Sequence, residues 1–309
     1  MSRLDAALQR AATGVAVKRA PVEPPARRTV QPEPELAVFD RDLDQAMEPS
    51  WEQPPSSTTP DVFDPLSTEL DERRFRSFNV KHAEKLVVSS SMPEPLREHY
   101  RRLGATLHHA QAESGLKTLM ITSAVPDEGK TLTATNIALT LSESYQRRVL
   151  LIDADLRRPS LDDVFQVPKG FGLNEALTSN PPRKVSLIQV SHHLSLLTAG
   201  APDPDPMSTL TGERMRQLLA EAAASFEWVI IDTPPVGILT DAKLLGSMVD
   251  AALVVIRAGK TPSALIQRAV DSLGRNRIMG VVLNRVEPVH AGGSYSYYNS
   301  YYYSSKKKR

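Results

Sequence analysis

The sequence predicts an α/β fold, a doubly wound and mostly parallel sheet, from two patterns that begin near residue 95. Runs of Val, Ile and Leu such as "TLMIT", "RVLLIDAD" and "WVIIDTPP" are continuous instead of alternating. Continuous apolar runs indicate strands that are buried on both faces. Segments with a helical period separate these runs, and strands that alternate with helices favour a parallel sheet. Ligands of such sheets bind outside the carboxyl ends of the strands.

The other elements follow in chain order. The helix "LREHYRRLGATLHHAQAESG" precedes the first strand and ends at Gly115. Between the strands named above, the pattern predicts the helix "TLTATNIALTLSESY", the strand "LSLLTAG" and the helix "GERMRQLLAEAAASF". After them come the strand "DAALVVIRAG", the helix "PSALIQRAVDSLGRN" and the strand "IMGVVLN".

Composition divides the 309 residues into three parts. The stretch from Pro21 to Pro65 is rich in Pro, Glu and Ser and has no sustained apolar period. It cannot bury enough apolar surface to offset the entropy of ordering it. We therefore predict a short amphipathic helix and a Pro-rich disordered linker over residues 1–92, a compact domain over 93–288, and a tyrosine-rich tail over 289–309.

Charge and hydropathy exclude several classes of protein. A formal net charge of +1 argues against a nucleic-acid partner, and the absence of cysteine fits a reducing compartment. The opening "MSRLDAALQRAATG" mixes charged with apolar residues, unlike a signal peptide. No apolar run approaches the ~18 residues that a membrane span needs. We expect a soluble, cytoplasmic protein that reaches the membrane through a partner.

The stretch "TLMITSAVPDEGKTLTATNIA" has the arrangement of a phosphate-binding loop: strand, turn, Gly-Lys-Thr, helix. Backbone N–H groups at a helix N-terminus bind phosphate, the lysine reaches the outer phosphates, and the threonine hydroxyl ligates Mg²⁺. The first glycine of G-x-x-x-x-G-K-[ST] is replaced by Ala124, so the match is incomplete. The predicted nucleotide-binding residues are Pro126, Asp127, Glu128, Gly129, Lys130, Thr131 and Leu132.

Two further strands end in aspartate. "VLLIDADLRRP" delivers Asp153 and Asp155, which point the same way from an extended backbone, and "WVIIDTPPV" delivers Asp232. Such carboxylates can share a hydrated Mg²⁺, or one can act as a base. Each motif alone could instead be a helix-capping aspartate after a strand. Three such strand ends in one chain favour a nucleotide site.

The combination of "PDEGKT", "IDADLRRP", "IDTPP" and "YSYYNSYYYSS" resembles the bacterial tyrosine kinases of capsule and exopolysaccharide synthesis. Their signature is a Walker A loop P-G-E-G-K-[ST], a Walker A′ strand ending in D-x-D, a Walker B strand ending in D-x-x-P, and a C-terminal tyrosine cluster. The resemblance covers residues of about 93 to 303. The opening "MSRLDAAL" is also similar to kinases tied to exosortase-associated polysaccharide systems.

The resemblance implies a P-loop autokinase that uses ATP and Mg²⁺. Lys130, Asp153 and Asp155 would be catalytic, with Asp153 as the base, and Thr131, Asp155 and Asp232 would act on the metal. The phosphate acceptors would be the six tyrosines of the tail. These are Tyr295, Tyr297, Tyr298, Tyr301, Tyr302 and Tyr303.

The implied partners are a membrane adaptor of the polysaccharide co-polymerase type, a protein-tyrosine phosphatase and further copies of the chain. The kinase would be recruited to the inner face of the plasma membrane. The family's self-association motif E-x-x-R-x-x-R maps to Glu98, Arg101 and Gly104, so its last arginine is missing and we expect weaker assembly. Asp127 stands where the family has glycine, and we expect its carboxylate to face away from the nucleotide.

Two other classes of protein remain open. Partition and septum-positioning ATPases share the fold, but their signature lysine in K-G-G-x-G-K-T would fall on Val125, and they need no tyrosine tail. A regulator of polysaccharide assembly that binds ATP without kinase activity is the third reading. The tail itself could be an adhesive or disordered segment with no enzymatic role.

Overall fold

The computed structural model describes residues 78–181, 183–237 and 240–286. Residues 1–77 of the predicted N-terminal helix and linker, and the six tail tyrosines, lie outside the described residues. No described helix is long and apolar enough to cross a lipid bilayer.

A seven-stranded sheet forms the centre of the described domain, and it confirms the predicted doubly wound α/β fold. Its strand order is β3-β4-β2-β5-β1-β6-β7, and all neighbours are parallel except the pair β3 and β4. The strands, in chain order, are β1 (Thr118–Ser123), β2 (Val149–Asp153), β3 (Ile188–Gln189), β4 (Leu194–Leu197), β5 (Trp228–Asp232), β6 (Ala251–Arg257) and β7 (Ile278–Asn284).

Helices cover both faces of this sheet. They are α1 (Val80–Ala83), α2 (Glu94–Ser114), α3 (Lys130–Leu139), α4 (Leu161–Phe165), α5 (Leu173–Thr178), α6 (Met207–Thr211), α7 (Glu213–Ser225), α8 (Thr240–Leu245) and α9 (Ser263–Leu273). One π-helical turn, Thr140–Ser144, continues α3, and a 3₁₀ turn, Arg275–Arg277, precedes β7. Helix α2 ends at Gly115, which takes the left-handed conformation (φ 70°) typical of a helix C-terminus.

The apolar runs of the strands supply a core on each side of the sheet. Every residue of β1, β2 and β5 is buried, as continuous apolar strands predict. Successive side chains of a strand point to opposite faces. Leu119 and Ile121 of β1 therefore belong to the core layer that contains α3, whereas Met120 belongs to the layer that contains α7 and α9.

Residues 78–92 pack on the sheet-and-helix domain ahead of α2. Leu86 is fully buried and Met92 nearly so. The side chain of Asn136 on α3 holds this segment, since its Oδ1 accepts from Val87 N (2.8 Å) and its Nδ2 donates to Lys85 O (2.9 Å). The packed domain thus begins before residue 93, the predicted start, because residues 78–92 contribute buried side chains to it.

Gly104 is buried on α2 where this helix crosses the π-helical turn. A Cβ at this position would lie 2.8 Å from Tyr145 Cε2 and 3.1 Å from Thr140 Cγ2. Tyr145 Oη donates to Arg101 O at 3.0 Å, which fixes the ring against the helix. Position 104 therefore faces the interior of the domain instead of solvent.

Candidate active site

The loop between β1 and α3, residues 124–131, is called the phosphate loop below. Gly129 at the N-cap of α3 has φ 94°, and Asp127 has φ 62°. Both values lie in the left-handed region, which glycine enters freely and Asp tolerates better than most residues. The backbone thus explains why Asp can replace the family's glycine at 127. The Asp127 side chain is exposed and makes no hydrogen bond or ion pair with the described residues.

The two residues after Gly129 begin α3, so the N-terminus of this helix faces the carboxyl edge of the sheet. Its first N–H groups have no partner within the helix and can bind phosphate oxygens. Of the other predicted loop residues, Pro126 is exposed and Leu132 packs its side chain against the core. Leu132 can therefore contribute only its backbone N–H to a phosphate site, and Pro126 has no N–H to donate.

Glu128 is different, because its carboxylate is turned away from the helix N-terminus. Its Oε2 accepts from Val125 N (2.9 Å), and its Oε1 accepts from Arg257 N (3.1 Å) and from the Thr261 hydroxyl. Its backbone oxygen accepts from Asn284 Nδ2 at 2.8 Å. The phosphate loop is thereby connected to the ends of both β6 and β7.

Three carboxylates meet at the same edge of the sheet, as the positions of the strands predict. Asp153 and Asp232 are register partners on the adjacent strands β2 and β5, and both are fully buried. Asp155 follows β2 and is also buried. The Asp153 carboxylate is held by backbone donors: Oδ2 accepts from Ser160 N (3.0 Å) and Leu161 N (2.9 Å), and Oδ1 accepts from Asp155 N (3.2 Å).

Lys130 provides the positive charge for these carboxylates. Its Nζ donates to Asp155 Oδ2 at 2.7 Å and lies 3.8 Å from Asp232 Oδ1. Neither carboxylate oxygen of Asp232 has a hydrogen-bond partner among the described residues. Burying a carboxylate whose oxygens make no hydrogen bond is costly, and the ion pair with Lys130 leaves both oxygens available to a cationic ligand.

The electrostatics of the site follow from burial and from like charges in register. Burial, then repulsion from Asp232, raises the pKa of Asp153 to about 7, although the Leu161 and Ser160 N–H groups act in the opposite direction. Burial also raises the pKa of Asp232. Burial alone would lower the pKa of Lys130, but its attraction to Asp232 and Asp155 outweighs burial and raises that pKa.

Two polar contacts around the site were not predicted. Ser160 Oγ donates to Thr131 Oγ1 at 3.3 Å while the Ser160 N–H binds Asp153, so one residue joins the threonine to the aspartate. Arg157 Nε donates to Asp241 Oδ2 at 2.6 Å, which ties the loop after β2 to helix α8. A serine just before the helical "LDDVF" is a recognisable N-terminal signal, but nothing local indicates Asp241 as a partner 84 positions away.

Residues 119–301 match the family of CobQ/CobB/MinD/ParA nucleotide binding domains. This match covers the sheet from residue 119 onward, the phosphate loop and all three aspartates described above. The domain therefore binds a nucleotide.

The chain is also similar to named kinases along most of the described domain. It is 33% identical to the tyrosine-protein kinase YwqD of Bacillus subtilis (strain 168) over 219 residues, which are 69% of this chain and 91% of YwqD. It is 37% identical to the tyrosine-protein kinase Etk of Escherichia coli (strain K12) over 251 residues, which are 75% of this chain but only 34% of Etk. It thus spans almost all of one relative and about a third of the other.

Solved structures agree with the sequence comparison. The kinase domain of the Escherichia coli tyrosine kinase ETK superposes with a TM-score of 0.59 at 31% identity, covering 74% of this chain and 89% of that domain. The crystal structure of the chimerical protein CapA2B2 superposes with a TM-score of 0.60 at 27% identity, covering 65% of this chain and 90% of that one. The chain therefore belongs to the CobQ/CobB/MinD/ParA nucleotide-binding family and, within it, to the bacterial protein-tyrosine kinases.

Proposed function

We propose that this kinase phosphorylates the tail tyrosines between Tyr295 and Tyr303 of a neighbouring copy of the chain. The observation that carries the proposal is the hydrogen bond from Asn284 Nδ2 to Glu128 O, 2.8 Å long. Because Asn284 is the last residue of β7, the chain leaves the sheet beside the phosphate loop on its way to the tyrosines. Ten extended residues span about 33 Å, enough for Tyr295 to reach another subunit's site from Arg285.

The residues of the site fit a magnesium ion that arrives with the nucleotide. Mg²⁺ takes oxygen ligands and is usually bound by one or two carboxylates together with substrate phosphates. The free oxygens of Asp232, the Asp155 carboxylate and the Thr131 hydroxyl supply such donors. Within the described ranges, no group of three or more His, Cys, Asp or Glu forms a metal cage of its own. When bound, the ion would neutralise charge on the phosphates.

Lys130 and Asp153 would perform the remaining chemistry. Lys130 holds the outer phosphates in place of its present partner Asp155, and it neutralises charge as the bond to the leaving oxygen breaks. The tyrosine Oη forms the new bond to the γ-phosphorus, ADP leaves, and the phenol proton passes to Asp153. A carboxylate whose pKa is about 7 suits this role, because a base works best when its pKa lies near the working pH.

Intact-mass analysis of the purified full chain tests the assignment, with and without phosphatase treatment. Wild type incubated with ATP and Mg²⁺ should show up to six added phosphates, all within residues 295–303. Lys130→Met and Asp153→Asn should fold and show none. Lys169→Met is the matched control, since this lysine is 77% exposed and outside the site, and it should behave like wild type. Autophosphorylation of Lys130→Met would refute the assigned site.

The same experiment separates the kinase from an ATP-binding regulator. Wild type that binds ATP but gains no phosphate, alone or with a partner, would support a regulator. Replacing all six tail tyrosines by phenylalanine should abolish the added mass without changing ATP affinity. Phosphate that persists in this variant would place the acceptor elsewhere in the chain.

We further propose that the kinase assembles through α2 and regulates exopolysaccharide or capsule synthesis at the inner face of the plasma membrane. Glu98 and Arg101 are about 40% and 46% exposed and lie 3.7 Å apart, so each could exchange its partner for one in a neighbouring subunit. A membrane adaptor would raise the local concentration, and a protein-tyrosine phosphatase would reverse the reaction. Sedimentation of Arg101→Glu beside wild type, with adaptor peptide, tests this, and identical molecular weights would contradict it.

A further inference from the structure

The buried carboxylate of Glu128 lies within two residues of Lys130, in a loop that binds anions. A carboxylate facing the phosphates would repel them, and Glu128 is only 1% exposed. Its oxygens are instead occupied by three donors, Val125 N, Arg257 N and the Thr261 hydroxyl. None of these three donors is among the predicted phosphate-binding residues, so the carboxylate contacts the structure around the site and not the residues of the site itself.

These donors come from two different parts of the chain. Val125 belongs to the phosphate loop itself, so its bond to Glu128 closes the loop upon itself. Arg257 is the last residue of β6, and Thr261 lies in the turn that leads to α9. Thr261 is also buried, and its hydroxyl contacts Arg257 O at 3.2 Å. One carboxylate thus fastens the loop to a turn that contains none of the predicted phosphate-binding residues.

Gly129, the residue after Glu128, restricts the phosphate loop further. Gly129 lies between Glu128 and Lys130, and a Cβ there would be 2.2 Å from Asn284 Nδ2. The backbone at Gly129 is therefore pressed against β7 while Glu128 is fixed to β6. A loop held in this way has already lost the freedom that phosphate binding would otherwise remove.

We infer that Glu128 is a positioning residue for nucleotide binding, which holds the phosphate loop in its binding conformation through Thr261 and Arg257. The inference rests on the proposed role of this loop and extends the site to the turn of residues 257–261. ATP affinity then depends on the Thr261 hydroxyl, although this hydroxyl need not contact the nucleotide.

Binding of ATP with Mg²⁺ to the full chain, measured by calorimetry well below the unfolding temperature, tests this inference. Glu128→Gln and Thr261→Val keep the side-chain shapes but remove an acceptor and the hydroxyl donor, respectively. Each should raise the Kd for ATP about tenfold, the factor that 1.4 kcal/mol gives. The KM for ATP should rise equally while kcat changes less than about twofold, because the loss falls on the ground state and transition state alike.

Three comparisons make the test specific to the contact between Glu128 and Thr261. Thr261→Ser retains a hydroxyl and should restore most of the affinity. Thr106→Val removes the hydroxyl of an exposed threonine of α2 that donates to Arg102 O within its own helix, and it should leave Kd unchanged. The double variant of Glu128→Gln and Thr261→Val should have a Kd no higher than that of the single variant with the higher Kd, since the two substitutions remove the same contact.

Two outcomes would overturn the inference. An unchanged Kd in Thr261→Val, together with a lower Tm, would make the contact structural only. Tighter ATP binding by Glu128→Gln would mean that the carboxylate repels phosphate instead of holding the loop. If Glu128→Gln fails to fold, the comparison of Thr261→Val with Thr261→Ser still tests the inference. Failure of wild type to bind ATP would instead refute the loop assignment itself, which separates the two claims.

Discussion

Replacing Gly104 by arginine would restore the spacing E-x-x-R-x-x-R on α2, yet it should destabilise the domain instead of strengthening assembly. A Cβ at this position would approach Tyr145 Cε2 to 2.8 Å and Thr140 Cγ2 to 3.1 Å. The ring cannot move aside freely, because Tyr145 Oη donates to Arg101 O at 3.0 Å. Arginine would have to displace the ring from the helix.

The expected magnitude combines three opposing effects. Forcing extra atoms into a packed contact costs about 1–3 kcal/mol, and loss of the tyrosine hydrogen bond costs about 1 kcal/mol. Replacing a helical glycine regains about 1 kcal/mol of helix propensity. The net loss of unfolding free energy should therefore be about 2 kcal/mol, which lowers the Tm of a domain of this size by roughly 4–8 °C.

Thermal and urea unfolding of Gly104→Arg, wild type and Ala105→Arg measure this effect. Ala105 is the exposed neighbour of Gly104, so its variant adds the same side chain to the same helix without the clash. It should change stability by less than about 0.5 kcal/mol. A Gly104→Arg protein as stable as wild type, beside an unchanged control, would refute the packing argument and return position 104 to the assembly surface.

The ion pair after β2, the buried Asp153 and the packing of Leu86 each predict a measurable effect. Arg157→Ala should cost about 3 kcal/mol of unfolding free energy, because it leaves the carboxylate of Asp241, 1% exposed, buried without its partner. Asp241→Asn should cost less, because the Arg157 side chain that it leaves unpaired is 28% exposed. Equal losses in urea unfolding would contradict this. Stability of the metal-free protein should fall as the pH rises from about 4 to 7, because the folded pKa of Asp153, about 7, exceeds the unfolded value near 3.9. Asp153→Asn should flatten this pH profile, and an equally steep profile in that variant would refute the assignment. Leu86→Ala should cost about 3 kcal/mol and Val88→Ala, at a position 36% exposed, well under 1; similar losses would mean that Leu86 does not pack as described.

The strands and long helices were predictable because their signal is local. The run "WVIIDTPP" predicts β5, and the strand ends at the expected Asp232. The exception is β3, two residues long and antiparallel, in a stretch with too few residues to display any period. Its position is determined by pairing with β4, a contact that the sequence pattern does not contain.

The carboxylates of the site were predictable for a topological reason. Parallel strands end at one edge, so aspartates at the ends of β2 and β5 must meet there. The contacts that support them were not predictable. Glu128 joins Arg257 across 129 positions, and Asn284 joins Glu128 across 156. Such pairs depend on which strands become neighbours and on their register. A single sequence contains no local pattern that predicts the order of the strands or their register.

Asp127 shows how a local departure is understood only with the backbone. From the sequence it is a carboxylate placed awkwardly beside phosphate. In the structure it occupies a left-handed position, with φ 62°, and its side chain is exposed. Conformational tolerance therefore accounts for the residue type, without any contact to the site.

The interior position of β1 in the sheet, between β5 and β6, has a consequence for synthesis of the protein. Both of its neighbours, β5 and β6, are translated later, and β5 is complete only about 110 residues after Ser123. At roughly 5–20 residues per second, the nascent chain carries an unpaired apolar strand for about 5–20 s. Slow codons between these two strands would lengthen this interval and expose "TLMITS" to aggregation on the ribosome, so the rate of translation can limit the yield of folded kinase.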